Sequence, residues 1–162
     1  MTDPLQIRAA NLLDPADARG LVDLLDAYAR DLMGGGTPLG TDVKERLPSD
    51  LAGRPGAVVL LAHLDGVAAG AAVAFEGYST FRAMPLLNLH DFVVAPAFRG
   101  RGVARRLLEA LETEALRRHC CKITLEVLEN NLRARSIYTR FGFEGYELDP
   151  AAGKALFLQK KL

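Results

Sequence analysis

A mixed α/β fold, one sheet with helices packed on it, is predicted for this chain by three observations. Segments of strand-like and helix-like hydrophobic periodicity alternate in the order β-α-α-β-β-β-α-β-α-β-β. The length of 162 residues is close to that of one domain, so residues 1–162 are read as a single unit. Apolar residues make up 49% and charged ones 25%, which suits one sizeable core with a solvated surface.

Leu5 to Ala10 reads as a short strand. Pro15 to Met33 reads as a helix: Ala18, Leu21, Val22, Leu25, Tyr28, Ala29 and Leu32 fall on one face, and Asp14 before Pro15 supplies a cap followed by proline at the first helical position. Gly34-Gly35-Gly36 ends it. Thr41 to Leu51 is expected to be an interrupted second helix, weakened near its end by Pro48. Ala57 to Leu64 and Val67 to Tyr78 are two strands joined by the turn Asp65-Gly66. Leu86 to Ala95 is a third, closed by Pro96. Arg101 to His119 is a long amphipathic helix with Val103, Ala104, Leu107, Leu108, Leu111, Ala115 and Leu116 inward. Cys121 to Leu128 is a strand, and Leu132 to Phe141 a helix stopped by Gly142. Phe143 to Leu148 and Ala155 to Lys161 are expected to be a closing pair of strands.

Composition narrows the function classes. Twenty basic side chains balance twenty acidic ones, so neither a nucleic acid nor an anionic membrane is expected as partner. The longest apolar stretch, Gly66 to Phe75, is far short of the roughly 20 residues that span a bilayer. The first residues lack a basic segment followed by an apolar one, so a signal peptide is not expected. Cys120 and Cys121 are adjacent, a spacing that disfavours a disulfide, and no other ligands cluster near them. Two reduced thiols, no metal and a cytoplasmic location are the expectations. Charge is uneven locally: residues 1–56 hold nine acidic and six basic side chains, residues 97–141 ten basic and five acidic. A polyanion would favour the second segment and a cation the first.

The most informative stretch runs from Asp91 to Ala104, where a strand ends, a glycine-bearing loop follows and a long helix begins. The first turn of a helix leaves backbone N–H groups unpaired and presents the positive end of its dipole, so a phosphate gains several hydrogen bonds there. Gly100 and Gly102 remove the Cβ atoms that would keep a ligand off the backbone, and Arg99, Arg101 and Arg105 add charge. The Walker loop and the Gly-x-Gly-x-x-Gly dinucleotide pattern are both absent; Arg105 stands where the third glycine would be. What fits is Arg-x-x-Gly-x-Ala at Arg99, Gly102 and Ala104, after Val94 and Pro96. A second pattern follows downstream: Leu125-Glu126-Val127, Asn131-Leu132-Arg133-Ala134, Ile137-Tyr138 and Gly142-Phe143.

In these two stretches, Val93–Ala104 and Leu125–Phe143, the chain resembles the GNAT superfamily of acyl-CoA N-acyltransferases. The resemblance implies a mostly antiparallel central sheet with a splayed strand pair beneath acetyl-CoA and helices on both faces. It implies an N-acetyltransferase in which a primary amine attacks the thioester directly in a ternary complex. A non-catalytic acyl-CoA-binding domain of the same fold is the alternative. The loop Arg99, Gly100, Arg101, Gly102, Val103, Ala104 and Arg105 would take the pyrophosphate. Phe92, Val93 and Val94 would bond pantetheine through their backbone, with a backbone N–H near Val94 facing the oxyanion. Asn131 would bond the pantetheine arm or a water, although asparagine at that place also caps helices.

Tyr138 is the expected acid for the leaving thiolate. His90 is the expected base or relay, since imidazole changes charge near neutral pH; certain arylalkylamine acetyltransferases of the superfamily carry histidine at this place. Asn88 stands where other members carry a glutamate, and it cannot take a proton. Asp91 and Glu76 are lesser candidates. Strand alternation would place Asn88, His90, Phe92 and Val94 on one face and Leu89, Asp91 and Val93 on the other. Residues 28–51, with Asp31, Asp42 and Glu45, are expected to rim the acceptor side, with Tyr78, Ser79, Phe81 and Arg82 bordering it. A small-molecule or peptide amine would be the substrate, its identity and a homodimeric state both left open.

Overall fold

The structure, a computed structural model, describes residues 4–146 and 149–162. Nine regular elements form the body: β1 (Leu5–Ala9), α1 (Pro15–Arg30), α2 (Thr41–Ala52), β2 (Ala57–Leu64), β3 (Val67–Ser79), β4 (Met84–Val94), α3 (Val103–Arg117), β5 (Ile123–Leu125) and α4 (Leu132–Phe141). The five strands lie in the order β1-β2-β3-β4-β5. Every pair is antiparallel except β4 with β5. The mixed sheet with helices on both faces is therefore as predicted.

Two cores sandwich the sheet. On one face Leu107, Leu108 and Leu111 of α3 and Tyr138 of α4 pack against Leu60, Ala62, Ala72, Leu87 and Leu89. On the other, Leu21, Leu24 and Leu25 of α1 and Leu51 of α2 cover Val59, Leu61, Val73 and Val93. The alanine-rich run of β3 lets both layers approach. A Cβ on Gly70 would come within 2.8 Å of the Val93 carbonyl and 3.1 Å of Val103 and Leu107, so α3 sits directly on that glycine.

Helix α1 starts as predicted, with Asp14 accepting from the Ala16 N–H, but closes at Arg30 and passes into a 3-10 turn at Leu32–Gly34. Helix α2 runs unbroken through Pro48, contrary to the expected interruption. Burial of Leu47 and Leu51 against the α1-side core outweighs the one backbone bond that proline removes.

The expected closing strand pair does not form among the described residues. Phe143 instead finishes α4: its N–H donates to the Tyr138 carbonyl (3.0 Å) after Gly142 turns into the left-handed region at φ 104°. Residues 147 and 148 lie outside the described residues. The segment 155–161 carries no regular structure and leaves Leu156, Phe157 and Leu158 exposed. No described strand lies beside this segment to set a register for it. Strand β5 is likewise reduced to Ile123–Leu125 from the expected Cys121–Leu128. Cys120 and Cys121 are both free thiols just before it.

Asp17 is the one buried charged residue among those described, 2% exposed. Arg8 donates to both its oxygens at 2.6 Å and the Asn11 N–H donates at 2.8 Å, tying β1 to α1. The Arg8 hydrogen bonds, against the cost of burial, hold the Asp17 carboxyl below the usual aspartate range. A carboxyl with a depressed folded-state pKa stabilises fully above its unfolded value, near 3.9, and loses that contribution as pH falls through the depressed value. Arg8→Ala should therefore cost about 1–3 kcal/mol at pH 7, and the gap from wild type should narrow below about pH 4. Urea denaturation across pH checks this; equal stabilities at pH 7 would contradict it.

Candidate active site

Strand β4 pairs with β5 only from Leu87 to Leu89, opposite Ile123 to Leu125. Asn88 donates from Nδ2 to Thr124 Oγ1 (3.1 Å) and clips the two strands together one pair before their pairing ends at Leu89 and Leu125. Beyond it β5 ends, while β4 continues to Val94 with no partner on that edge among the described residues. The result is a wedge between the strands, and it opens into a cleft of about 1740 Å³. That exceeds the roughly 300–1,000 Å³ of an ordinary small-ligand pocket and leaves room for a long ligand and a second one.

One end of the cleft is the start of α3. Gly102 caps this helix at φ 82° with no side-chain cap, and the first helical bond runs from the Arg106 N–H to the Gly102 carbonyl (3.1 Å). The amides of Val103, Ala104 and Arg105 thus precede the hydrogen-bond ladder and face the helix end. A Cβ on Gly102 would have no atom within 4 Å, so the space above that backbone is open, and Gly100 shares the positive φ at 75°. Arg99, Gly100, Gly102, Val103, Ala104, Arg105, Arg133 and Arg140 line this end. Arg99 is also tied back to the strand, donating from Nε to the Val94 carbonyl at 3.3 Å. Arg101 is not among the lining residues: its side chain turns toward Asp65 (3.7 Å) and over the Phe98 ring.

At the middle of the cleft stands Tyr138, 8% exposed. Its ring packs on Phe92 (5.9 Å between centroids) and Phe143 (5.7 Å), and its hydroxyl has no hydrogen-bond partner among the described residues. Burial, reinforced by the nearby Tyr28, pushes its phenol up to about 12. Asn131 caps α4, accepting from the Ala134 N–H at 3.2 Å, and lines the cleft as well.

The far end departs from the expected strand alternation. The β3–β4 register skips a residue: Val73 faces Asp91 and Ala74 faces Leu89, leaving His90 as the extra residue of a β-bulge. Leu89 therefore joins Phe92 and Val94 on the α3 face. Asp91 lies opposite Val73 and Val93 opposite Ala71, both on the α1 face. His90 turns the same way, its ring edge-on to Phe75 at 5.5 Å. The bulge sets two consecutive side chains, His90 and Asp91, on one side, which no alternating pattern allows. His90 is exposed and lines the cleft. Glu76 is engaged by Arg118 at 2.9 Å and is not among the lining residues.

Tyr28, Asp31 and Met33 border this end. Asp42 and Glu45 do not, and neither do Tyr78, Ser79, Phe81 or Arg82, which belong to the far end of the β3–β4 hairpin. Asp26 organises the border: it accepts from the Leu39 N–H (2.8 Å), Lys44 (2.9 Å) and Arg30 (3.0 Å). These bonds, Lys44 foremost, draw its carboxyl down to about 2. Neither Asn88 as the clip nor Asp26 as the staple is evident from the sequence, because each depends on a partner distant in the chain.

Among the described residues no cluster of His, Cys, Asp and Glu could hold a metal ion. The chain superposes on an aminoglycoside N-acetyltransferase, AAC(6')-Iy, in complex with CoA, at 23% identity and TM-score 0.75, covering 98% of this chain and 95% of that one. A ribosomal-protein-alanine N-acetyltransferase from Brucella melitensis biovar Abortus 2308 superposes at 19% identity and TM-score 0.68, covering 90% and 98%. An integron cassette protein from the mobile metagenome of V. cholerae gives 17% and 0.78, covering 99% and 94%. These likenesses establish a shared fold. The sequence pattern of the acetyltransferase (GNAT) family matches residues 21–143, a span that takes in the α1 layer, the wedge, the uncapped helix end and Tyr138. With that span matched and the splayed strands in place, the chain belongs to the acetyltransferase (GNAT) family.

Proposed function

We propose that the protein transfers the acetyl group of acetyl-CoA to a primary amine by direct attack in a ternary complex. The observation that carries this reading is one continuous cleft running from the uncapped start of α3, along the free edge of β4, to the Tyr138 hydroxyl. An extended pantetheine arm fits such an edge as an added strand would, bonding the backbone of Phe92 and Val94; Val93, expected to join them, turns its backbone to Ala71 of β3 instead. The pyrophosphate belongs on the amides of Val103, Ala104 and Arg105, with Arg99 and Arg105 beside it. Asn131 keeps its Nδ2 donors while capping α4, so both of its expected roles are compatible. Arg101 contributes its backbone and general charge.

At the reacting centre the amine must arrive neutral, attack the carbonyl and expel a thiolate. A backbone N–H near Val94 is placed to face the oxyanion. Tyr138 is the donor to sulphur. Its raised pKa means that it stays protonated, and the burial that disfavours phenolate equally disfavours a free thiolate in the same place. The proton thus moves late, as charge gathers on sulphur. His90, at the open end of the cleft, relays the amine proton to water.

Four outcomes test this reading. Gly102→Glu should abolish acetyl-CoA binding, because a side chain at φ 82° is strained, fills the phosphate space and brings negative charge; calorimetry showing wild-type affinity would remove the placement. Acetyl-CoA at a hundredfold excess over its Kd should stabilise the wild type by about 2.7 kcal/mol, seen as a rise in Tm. With a panel of amines and thiol release as the readout, Tyr138→Phe should lower turnover by roughly ten- to ten-thousandfold with little change in acetyl-CoA affinity. In the same assay His90→Ala should flatten the acidic limb of the rate profile measured on the same amine. Acetyl-CoA binding without thiol release on any amine would instead identify an acyl-CoA-binding domain.

A further inference from the structure

The chain holds two cysteines, and they are neighbours. Consecutive Cα atoms stand about 3.8 Å apart, less than the roughly 4.4–6.8 Å that a disulfide ordinarily spans. Cys120 and Cys121 are both free, half-buried thiols. They follow the exit from α3, which turns through His119 at φ 56°. The Cys120 N–H donates back to the Ala115 carbonyl of α3 (2.9 Å), and the Cys121 N–H to the Pro85 carbonyl of β4 (2.8 Å). Each cysteine is thus anchored by its own amide to a different packed element. Neighbours on a straight strand point to opposite faces, but the chain bends at Cys121, and both residues line one cavity of about 260 Å³. This cavity lies between the ends of α3 and α4, with Glu112, Leu116, Phe141 and Phe143 in its wall. Among the described residues Phe141 alone lines both it and the cleft. The Phe141 and Phe143 rings stack at 6.2 Å between centroids, giving the cavity an aromatic side.

The chemistry of the pair narrows what it can hold. A structural zinc takes four ligands, and no group of three His, Cys, Asp or Glu stands together among the described residues. Burial pushes the Cys120 thiol up, with Arg118 opposing, so it stays protonated at neutral pH and reacts slowly with electrophiles that need a thiolate. Lys122 lines the cavity, but its ammonium lies over the Tyr146 ring at 5.6 Å. What suits two neighbouring neutral thiols is a soft, uncharged centre that forms two bonds to sulfur and removes the thiol protons itself. We propose that Cys120 and Cys121 form a dithiol site for trivalent arsenicals in which arsenic carries one organic group and two hydroxyls, the organic group lying against Phe141 and Phe143. On capture two S–H and two As–O bonds break and two As–S bonds form. Each thiol proton leaves with a hydroxide as water, arsenic stays trivalent and sulfur is not oxidised. The site is neutral before and after, which a half-buried cavity favours. The second As–S bond closes within one chain, so the chelate outlasts a single bond. This site stands apart from acetyl transfer and does not depend on that reading.

The test adds phenylarsine oxide, which hydrates to such a species, to the full-length reduced protein and reads intact mass. The monomer should gain one phenylarsenic group and lose two hydrogens. Because the chain has no other cysteine, an adduct with two bonds inside one chain identifies the pair. The adduct should survive excess β-mercaptoethanol, a monothiol, and be removed by the dithiol dimercaptopropanol. Cys120→Ser and Cys121→Ser should each lose the monothiol-resistant adduct, with Tm checking that each variant is folded. The folded cavity should contribute as well as the two thiols. At equilibrium, half-removal from the folded protein should need about tenfold more dimercaptopropanol than half-removal from the chain unfolded in urea. Removal of the wild-type adduct by monothiol overturns the proposal, and so do two arsenic groups on one chain or a dimer bridged by arsenic. A resistant adduct in either serine variant, or equal half-removal from folded and unfolded chains, overturns it too.

Discussion

Backbone hydrogen bonds hold strand β4 along both edges from Pro85 to Leu89 and along one edge beyond, and the functional architecture depends on where that double pairing stops. Backbone amides and carbonyls on a strand edge demand partners. The chain satisfies those of the β3 edge through to Val94 and leaves those of the β5 edge to whatever enters the wedge. The pair Leu89–Leu125 marks the boundary, one residue beyond the Asn88–Thr124 clip, and the bulge at His90 follows it at once. A bulge increases local twist and bends its strand, so it accompanies the divergence of β4 from its neighbour. The same extra residue reverses which side chains face which helix layer. Opening the cleft and aiming His90 and Asp91 toward α1 are therefore two consequences of one irregularity.

A wedge of this kind needs rigid walls. The small side chains of β3 provide one, because Gly70 lets α3 lie so close that any Cβ would meet Val93, Val103 and Leu107. The start of α3, with its unpaired amides, is thereby fixed relative to the end of β4. On the opposite side Gly20 comes within contact distance of Ala68, so α1 is held equally close. Asp26 then fastens the connection between α1 and α2, which carries Asp31 and Met33 of the cleft lining. Ligand-facing backbone is thus mounted on packed elements, and the loops that complete the site are tied to them by specific hydrogen bonds.

The two ends of the cleft differ in the kind of positive and negative charge they present. At the α3 end the charge is backbone dipole supplemented by mobile guanidinium groups, an arrangement matched to phosphate. At the α1 end the lining carboxylate is Asp31, one oxygen of which accepts from the Met33 N–H. Between them lies a belt of aromatic rings, Phe92, Tyr138 and Phe143, which lowers the local polarity and keeps the tyrosine protonated. Acyl transfer is favoured where a neutral nucleophile meets a polarised carbonyl away from bulk water, and the belt supplies that zone.

What the sequence determined by itself is local. Helical and strand periodicity, the cap at Asp14, the glycines at 100 and 102 and the Arg99–Ala104 pattern are properties of neighbouring residues, and they suffice for the element order from β1 to α4 and for the glycine-bearing turn into α3. What the tertiary structure decided depends on partners distant in the chain. Register against β3 produced the bulge that overturned the expected alternation at His90 and Asp91. Pairing length with β5 set the wedge, and Arg118 removed Glu76 from consideration by engaging it. The expected final strand at 155–161 failed for the complementary reason: no described strand pairs with it, so Leu156, Phe157 and Leu158 stay exposed. A strand's period is written in its own residues, but its register is an agreement between two strands, and only the folded sheet contains both.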